Sequence, residues 1–329
     1  MVKQTGKAVT LADVARRAGT STAVVSYVMN NGPRPVAPHT RERVLAAAAE
    51  LNYRPNLIAR AMRSRTTGVV GLILADASNP YFGALARHVE QALEKRDKLT
   101  LTGNAGFSTD RQKHLVERFL AAQVDGIIIV SADGGPDVAA HAQAAGVRAV
   151  YVHNRPESAD APVVAADNDT AVHEALNHLL HHGHSHVAFL TGTHDIGPVG
   201  HRRHAWESVA GAATPLLRCD YTRSAAAGLA QRLIAEGALP PAMITATDEQ
   251  AIGVLAGVSA AGLSVPDQLA LISLDGTPDS AYTAPALTVT EQPLQFMAEH
   301  AVDLLLNEAL PQTAPHAPLV RRRSCGCTE

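Results

Sequence analysis

Residues Asp13–Gly32 read DVARRAGTSTAVVSYVMNNG, two short amphipathic segments on either side of an Ala-Gly-Thr turn. Just upstream, Thr10 is placed to cap a helix whose Leu11, Val14, Ala15 and Ala18 share one face. Gly19 supplies the turn, and Ser21 is placed to cap the next helix. In that helix Val25, Val28 and Met29 form the packing face, which turns Thr22, Ala23, Ser26 and Tyr27 outward. A third helix, from Pro38 to Leu51, follows the breaker-rich NNGPRPVAP and points Val44, Leu45, Ala48 and Leu51 inward. Three short helices in about forty residues predict a helix-turn-helix DNA-reading domain. Its second helix nevertheless carries no Arg, Lys, Gln or Glu with which to read a base.

Charge supports the same reading. Residues 1–65 hold eleven Lys and Arg against three acids, whereas the other residues hold 17 against 28, within a chain whose net charge is −3. A basic module on an acidic body predicts a polyanion-binding end attached to a part with other work. After NYRP comes NLIARAMRSRTTG, a short helical stretch with Leu57, Ile58, Ala61 and Met62 interleaved with Arg60, Arg63 and Arg65. An apolar wedge flanked by arginines suits insertion into a minor groove, where it unstacks a base step.

VTLADVARRAGTSTAVVSYVMN, VAPHTRERVLAAAAELNYRPNLIARAMR, TTGVVGLILADASNPYF, DGIIIV, GHSHVAFLTG, TATDEQAIGVL and LDGTPDSAYTAPALTV occur in that order along essentially the whole 329-residue chain. Together they closely resemble the LacI/GalR transcription regulators. The resemblance implies a second helix lying in the major groove and a hinge that orders on DNA as a pair across a homodimer, on palindromic double-stranded operator DNA. The expected DNA contacts are Thr10, Ser21, Thr22, Ala23, Ser26, Tyr27, Asn30, Arg60 and Met62. Met62 stands where the family usually has a Leu wedge, and Tyr27 where it commonly has Arg. Bidentate guanine recognition by an Arg at position 27 is therefore excluded, and a different half-site is expected.

From Val69 the chain alternates short apolar strands with helices, which predicts parallel sheets covered on both faces; the length favours two lobes. The resemblance implies a periplasmic-binding-protein-like α/β body with crossovers near Pro162, Gln292 and Val320. The expected division is 1–53 for the all-α headpiece, 54–66 for the hinge and 67–329 for the body. Lobe one then covers about 67–161 and 292–319, and lobe two about 162–291 and 320–329. Ligands of such sheets sit beyond the carboxyl ends of the strands. That rule selects Asp76, Ser78, Asn104, Ser131, His153, Asp248 and Asp275, with Tyr81 and Phe82 as an apolar or stacking wall. Asp248 has an equal claim to being a helix cap. Arg202 and Trp206 in HRRHAW match the family's Arg-x-x-Gly-aromatic segment, with Ala205 in place of Gly and Arg203 as the less favoured register. This set implies a small-molecule effector, of which a carbohydrate is the best match. Between Trp206 and Tyr221 the chain is shorter than the family pattern, which bears on the cleft or the subunit surface.

No enzyme is expected, because GxGxxG, GxxxxGK[ST] and GxSxG are all missing. Nor is a cofactor or metal site. His173 and His178 are five residues apart, so on a helix they diverge, and HHGHSH reads as solvated or C-capping histidines. Cys325-x-Cys327 lacks zinc-ligand partners at a usual spacing. With no apolar run of spanning length and no signal-peptide pattern, a cytoplasmic regulator without a membrane partner is the expectation.

Overall fold

The computed structural model describes residues 9–29, 34–54, 66–130, 137–156, 158–193, 198–210, 214–307 and 313–328. Asn30, Ser131, and Arg60 and Met62 of the expected hinge lie outside them. The chain divides into two units, Met1–Thr67 and Gly68–Glu329.

The first unit holds α1 (Leu11–Ala18), α2 (Thr22–Met29) and α3 (Pro38–Glu50). A reciprocal capping box starts α1: Asp13 N–H donates to Thr10 Oγ1 at 3.4 Å, and Thr10 N–H returns to Asp13 Oδ2 at 3.0 Å. Gly19, at φ +63°, ends the helix in the left-handed region where a Cβ would be strained. Val14, Ala15, Ala18, Val25, Val28, Val44, Ala47 and Ala48 make the core. Leu45 is a correction: it is 44% exposed, and Ala47 faces inward instead. The buried stripe runs 44, 47, 48, and position 45 stands about 100° round the helix from Val44.

The second unit is built on two sheets. β1 (Val69–Leu74), β2 (Leu99–Asn104), β3 (Gly126–Val130), β4 (Arg148–Val152) and β5 (Val163–Val164) form a parallel sheet in the order β2-β1-β3-β4-β5. α4 (Pro80–Glu94) covers one face with α11 (Leu294–Asn307); α5 (Thr109–Ala121) and α6 (Val138–Ala144) cover the other. β6 (Ala188–Thr191), β7 (Leu216–Arg218), β8 (Ala242–Thr245), β9 (Ala270–Ser273), β10 (Thr288–Thr290) and β11 (Leu319–Val320) form the second sheet, ordered β11-β10-β9-β8-β6-β7. Only its β10–β11 pair is antiparallel among the described pairings. α7 (Asn168–His181) and α8 (Pro198–Ala210) pack on one face, α9 (Arg223–Ala235) and α10 (Asp248–Ala260) on the other. Strands buried on both faces read as continuous apolar runs, which is why β3 and β8 are fully buried.

The chain crosses between lobes three times, and the crossings are hydrogen-bonded side by side. Asp167 N–H donates to Pro315 O at 2.9 Å, and Glu291 N–H to Pro318 O at 2.9 Å. The lobe limits differ slightly from the sequence reading. β5 pairs with β4 and keeps Pro162–Val164 in lobe one, while Leu319 already belongs to the second sheet. No helix among the described residues is long and apolar enough to cross a membrane.

Candidate functional site

Two surfaces carry the expected contacts, one in each unit. On the headpiece, Thr22 and Ala23 are exposed and Ser26 and Tyr27 are half-buried, so α2 offers a short face of hydroxyls and small apolar groups. Thr10 and Ser21 do cap work: Thr10 Oγ1 donates to Asp13 Oδ2 at 2.6 Å, and Ser21 Oγ accepts from Val24 N–H at 3.3 Å. Arg16, Arg17, Arg34, Arg41 and Arg43 are all exposed on the same small unit. Exposed guanidinium groups of this kind attract a polyanion without regard to its sequence, and Arg16 and Arg17 are also paired with Asp13 and Glu50.

In the body, the carboxyl ends of both sheets meet. Arg202 on α8 is 2% exposed, a burial that long charged side chains accept only when well partnered. Its Nε donates to Asn168 Oδ1 at 2.8 Å, and its Nη1 donates to Ala246 O at 2.6 Å and Asp275 Oδ1 at 3.3 Å. Its Nη2 is buried and has no hydrogen-bond partner among the described residues, which leaves two strong donor protons unspent there. Facing it from lobe one, Tyr81 Oη lies 3.0 Å from His153 Nδ1. Phe82 packs edge-on against both rings, with centroids 5.3 Å from Tyr81 and 5.8 Å from His153.

Electrostatics ties the two lobes together here. Burial, assisted by the Arg202 charge, pushes His153 down to about 3, so its imidazole is neutral at physiological pH. Burial pushes the Asp275 carboxyl up to about 7; Arg202 opposes the shift and the Asp248 charge adds to it. Tyr81 is raised by burial and by Asp275 across the cleft. His153 sits at φ +74°, an uncommon conformation for a residue with a Cβ, and such strain collects at ligand sites.

Tyr81, Phe82, His153, Arg202 and Asp275 are thus brought together from the expected set. Asp76 and Ser78 bond one another at the more open rim, with Ser78 Oγ 2.8 Å from Asp76 Oδ1. Asn104 Oδ1 accepts from Ala77 and Gly106 N–H, both at 3.3 Å. Two expectations are corrected. Trp206 is 2% exposed inside lobe two, stacked on Phe189 at 5.7 Å with its Nε1–H donated to Val187 O. Four residues beyond Arg202 on the same helix, it faces the sheet rather than the cleft. Asp248 neither caps α10, which Thr247 does, nor offers a free carboxylate. Its oxygens accept from Ser273 Oγ at 2.5 Å and from Thr277 N–H and Oγ1 at 2.6 Å each, holding the loop that carries Asp275. Arg203, the other register, pairs with Glu207 one turn along.

Asn168 and Tyr221 escaped the sequence reading. Asn168 orients Arg202, and Tyr221 is shifted upward mainly by burial, with Arg202 and Asp275 near enough to act on it. Both follow strands too short to read as runs, β5 with two residues and β7 with three.

Comparison with known proteins places this geometry. Residues 10–56 match the model of bacterial regulatory proteins, lacI family, and residues 176–325 match a periplasmic binding protein-like domain. Catabolite control protein A of Priestia megaterium is 33% identical over 90% of this chain and 91% of its own. The HTH-type transcriptional regulator MalR of Streptomyces coelicolor is 32% identical over 94% and 93%. A crystal structure of the Lac repressor bound to ONPG in the repressed state superposes with a TM-score of 0.84 at 25% identity, covering 97% of this chain and 100% of that one.

Proposed function

Because this chain belongs to the lacI family of bacterial regulatory proteins, we propose that a small polyhydroxylated ligand held at Arg202 sets its affinity for operator DNA. It is a DNA-binding transcriptional regulator. We read it as a homodimeric repressor in the cytoplasm, acting on a palindromic operator. Two headpieces would read two half-sites about one or more helical turns apart.

The observation that carries the ligand reading is the buried Nη2 of Arg202, unpartnered among the described residues. Beside it the Asp275 carboxyl, pushed up to about 7 by burial, can offer a proton as well as accept one, and Tyr81, neutral His153 and Phe82 add hydroxyl, imidazole and ring edges. A carbohydrate answers that set, since its hydroxyls pair with the polar groups and its C–H face packs on the rings. In support of that class, the Lac repressor structure named above is bound to ONPG, and the transcriptional regulator CelR, 25% identical with a TM-score of 0.67, forms a complex with cellobiose.

Control follows from the wiring. Gln292, at a crossover, donates its N–H to Asp275 O at 3.1 Å and its Nε2–H to Leu274 O at 3.2 Å. A ligand that draws Arg202 and Asp275 toward Tyr81 and His153 therefore pulls on a crossing segment. Lobe closure would then shift the spacing of two headpieces across the dimer. The test is a thermal-shift screen of mono- and disaccharides, nucleosides and nucleobases against the full chain, followed by operator titrations with each hit. A saccharide that raises Tm and shifts operator affinity at least about fivefold is the expected result. Stabilisation by nucleobases alone would overturn the carbohydrate assignment.

A further inference from the structure

A second cluster of polar groups lies in lobe two, away from the cleft. His178 and His182 are one turn apart at the end of α7, and Cys325 and Cys327 follow β11. Their ligand atoms all lie within 4.8 Å of one another. His178 Nε2 stands 3.3 Å from Cys325 Sγ and 3.4 Å from Cys327 Sγ, and His182 Nε2 stands 3.4 Å from Cys327 Sγ. A tetrahedral zinc ion with Zn–S near 2.3 Å and Zn–N near 2.0 Å sets its ligand atoms roughly 3.3–3.8 Å apart. From two thiolates and two imidazoles, we infer that these residues form a structural Cys2His2 zinc site.

The surroundings are arranged for it. Gly326, at φ +96°, turns the chain between the cysteines so that both sulfurs approach His178. An added Cβ there would lie 3.6 Å from His182 Nδ1, in addition to straining the backbone. Cys325 is buried, with Thr288 Oγ1 3.1 Å from its sulfur. The turn is itself anchored: Thr288 N–H donates to Ser324 Oγ at 2.8 Å, and Ser324 Oγ donates to Leu271 O at 2.6 Å. The Cys325 thiol also faces Arg322 O at 3.3 Å.

On binding, both thiols release their protons to solvent and the sulfurs bind as thiolates; both imidazoles bind through neutral Nε2. Soft sulfur with imidazole selects zinc over magnesium or calcium. The ion clips the turn after β11 to the far end of α7, the helix whose first residue, Asn168, holds Arg202. Ten to fourteen residues along that helix is roughly 15–21 Å, so this site and the ligand cleft are distinct. The sequence reading expected no metal here, because 142 residues separate His182 from Cys325.

The test uses the full chain purified with reductant from zinc-supplemented cells. Elemental analysis is expected to find one zinc per chain, and cobalt replacement to give tetrahedral d–d bands with thiolate charge transfer. Cys327→Ser and the more exposed His182→Ala should each bind zinc at least about a hundredfold more weakly, with far-ultraviolet circular dichroism unchanged. Cys219→Ser should bind as the parent does. About a hundredfold excess of free zinc over Kd should raise the Tm of stripped protein by about 5–10 °C. Substoichiometric zinc with free thiols, a Cys325–Cys327 disulfide, stoichiometric copper or iron instead, or undiminished zinc in both ligand variants would each overturn the assignment.

Discussion

Arg202 concentrates the argument at the level of single residues. Three contacts hold it, to Asn168, Ala246 and Asp275, and its Nη2 is left without a partner among the described residues. Replacing it with Lys keeps a charge near Asp275 but removes the planar fork that reaches all three partners at once. We expect Arg202→Lys to abolish the ligand-dependent shift in operator affinity while free-protein operator affinity stays within about threefold, read by fluorescence anisotropy with and without ligand. Retained ligand response in that variant would remove Arg202 from the binding role. Asp275 and His153 make a second prediction, in which signs matter. Asp275 is raised to about 7, so the folded state holds a proton that the unfolded state has lost; its contribution to stability falls as pH rises between about 4 and 7. His153 is lowered to about 3, so the unfolded state holds the extra proton and stability from it rises with pH between about 3 and 6.5. The two slopes oppose one another over most of their range. Asp275→Asn should therefore expose a melting temperature that climbs from pH 4 to 6.5, and His153→Gln one that declines. Parallel pH profiles for the two variants would contradict both assignments.

Among the elements, the pairing of α9 with α10 is the most sharply specified by sequence. Gly253 and Gly257 on α10 lie against α9, and a Cβ on Gly257 would stand 2.7 Å from Ala227 O and 2.9 Å from Ala230 Cβ. Gly to Ala inside a helix ordinarily stabilises by about 0.5–1 kcal/mol, but overpacking a tight contact costs about 1–3 kcal/mol, so the steric term wins. Gly257→Ala is expected to lower stability by about 1–2 kcal/mol in urea melts, whereas the exposed Ser259→Ala should change little. A stabilised Gly257→Ala would show that the helices part easily. Legibility in the sequence followed the same physics of periodicity and length. The five- and six-residue apolar strands β1 and β3 announced parallel sheets, and with them Asp76 and Tyr81 at the end of β1. β5 and β7 were too short to show periodicity, so Asn168 and Tyr221 went unread. Trp206 matches a family motif in sequence, but helix geometry turns it into the core. Asp248 was visible as a residue after a strand, while its three partners in Ser273 and Thr277 come from 25 to 29 positions further on. The histidine and cysteine cluster depends on two distant segments meeting on one face of the second sheet, which no local spacing encodes.

For the molecule as a whole, the decisive asymmetry is that a basic unit of 67 residues is joined to an acidic one. The body has 17 Lys and Arg against 28 Asp and Glu beyond residue 65, a net charge of the same sign as a phosphate backbone. A fragment of residues 68–329 should bind the ligand as the full chain does and show no DNA affinity even at low salt. The headpiece carries the electrostatic part, and its size depends on how many copies touch the duplex. Each phosphate neutralised contributes about −0.9 to the slope of log Kobs against log salt. If a homodimer seats two headpieces on one operator, the full chain must have about twice the salt slope of the isolated 1–67 fragment on a single half-site. Titrations at several salt concentrations with both proteins measure this directly. The ligand should reduce the full-chain slope toward the single-headpiece value, because displacing the paired headpieces gives up phosphate contacts before anything else. Equal slopes for fragment and full chain would mean that one headpiece alone engages DNA, and the dimeric reading of a twofold operator would fail with it.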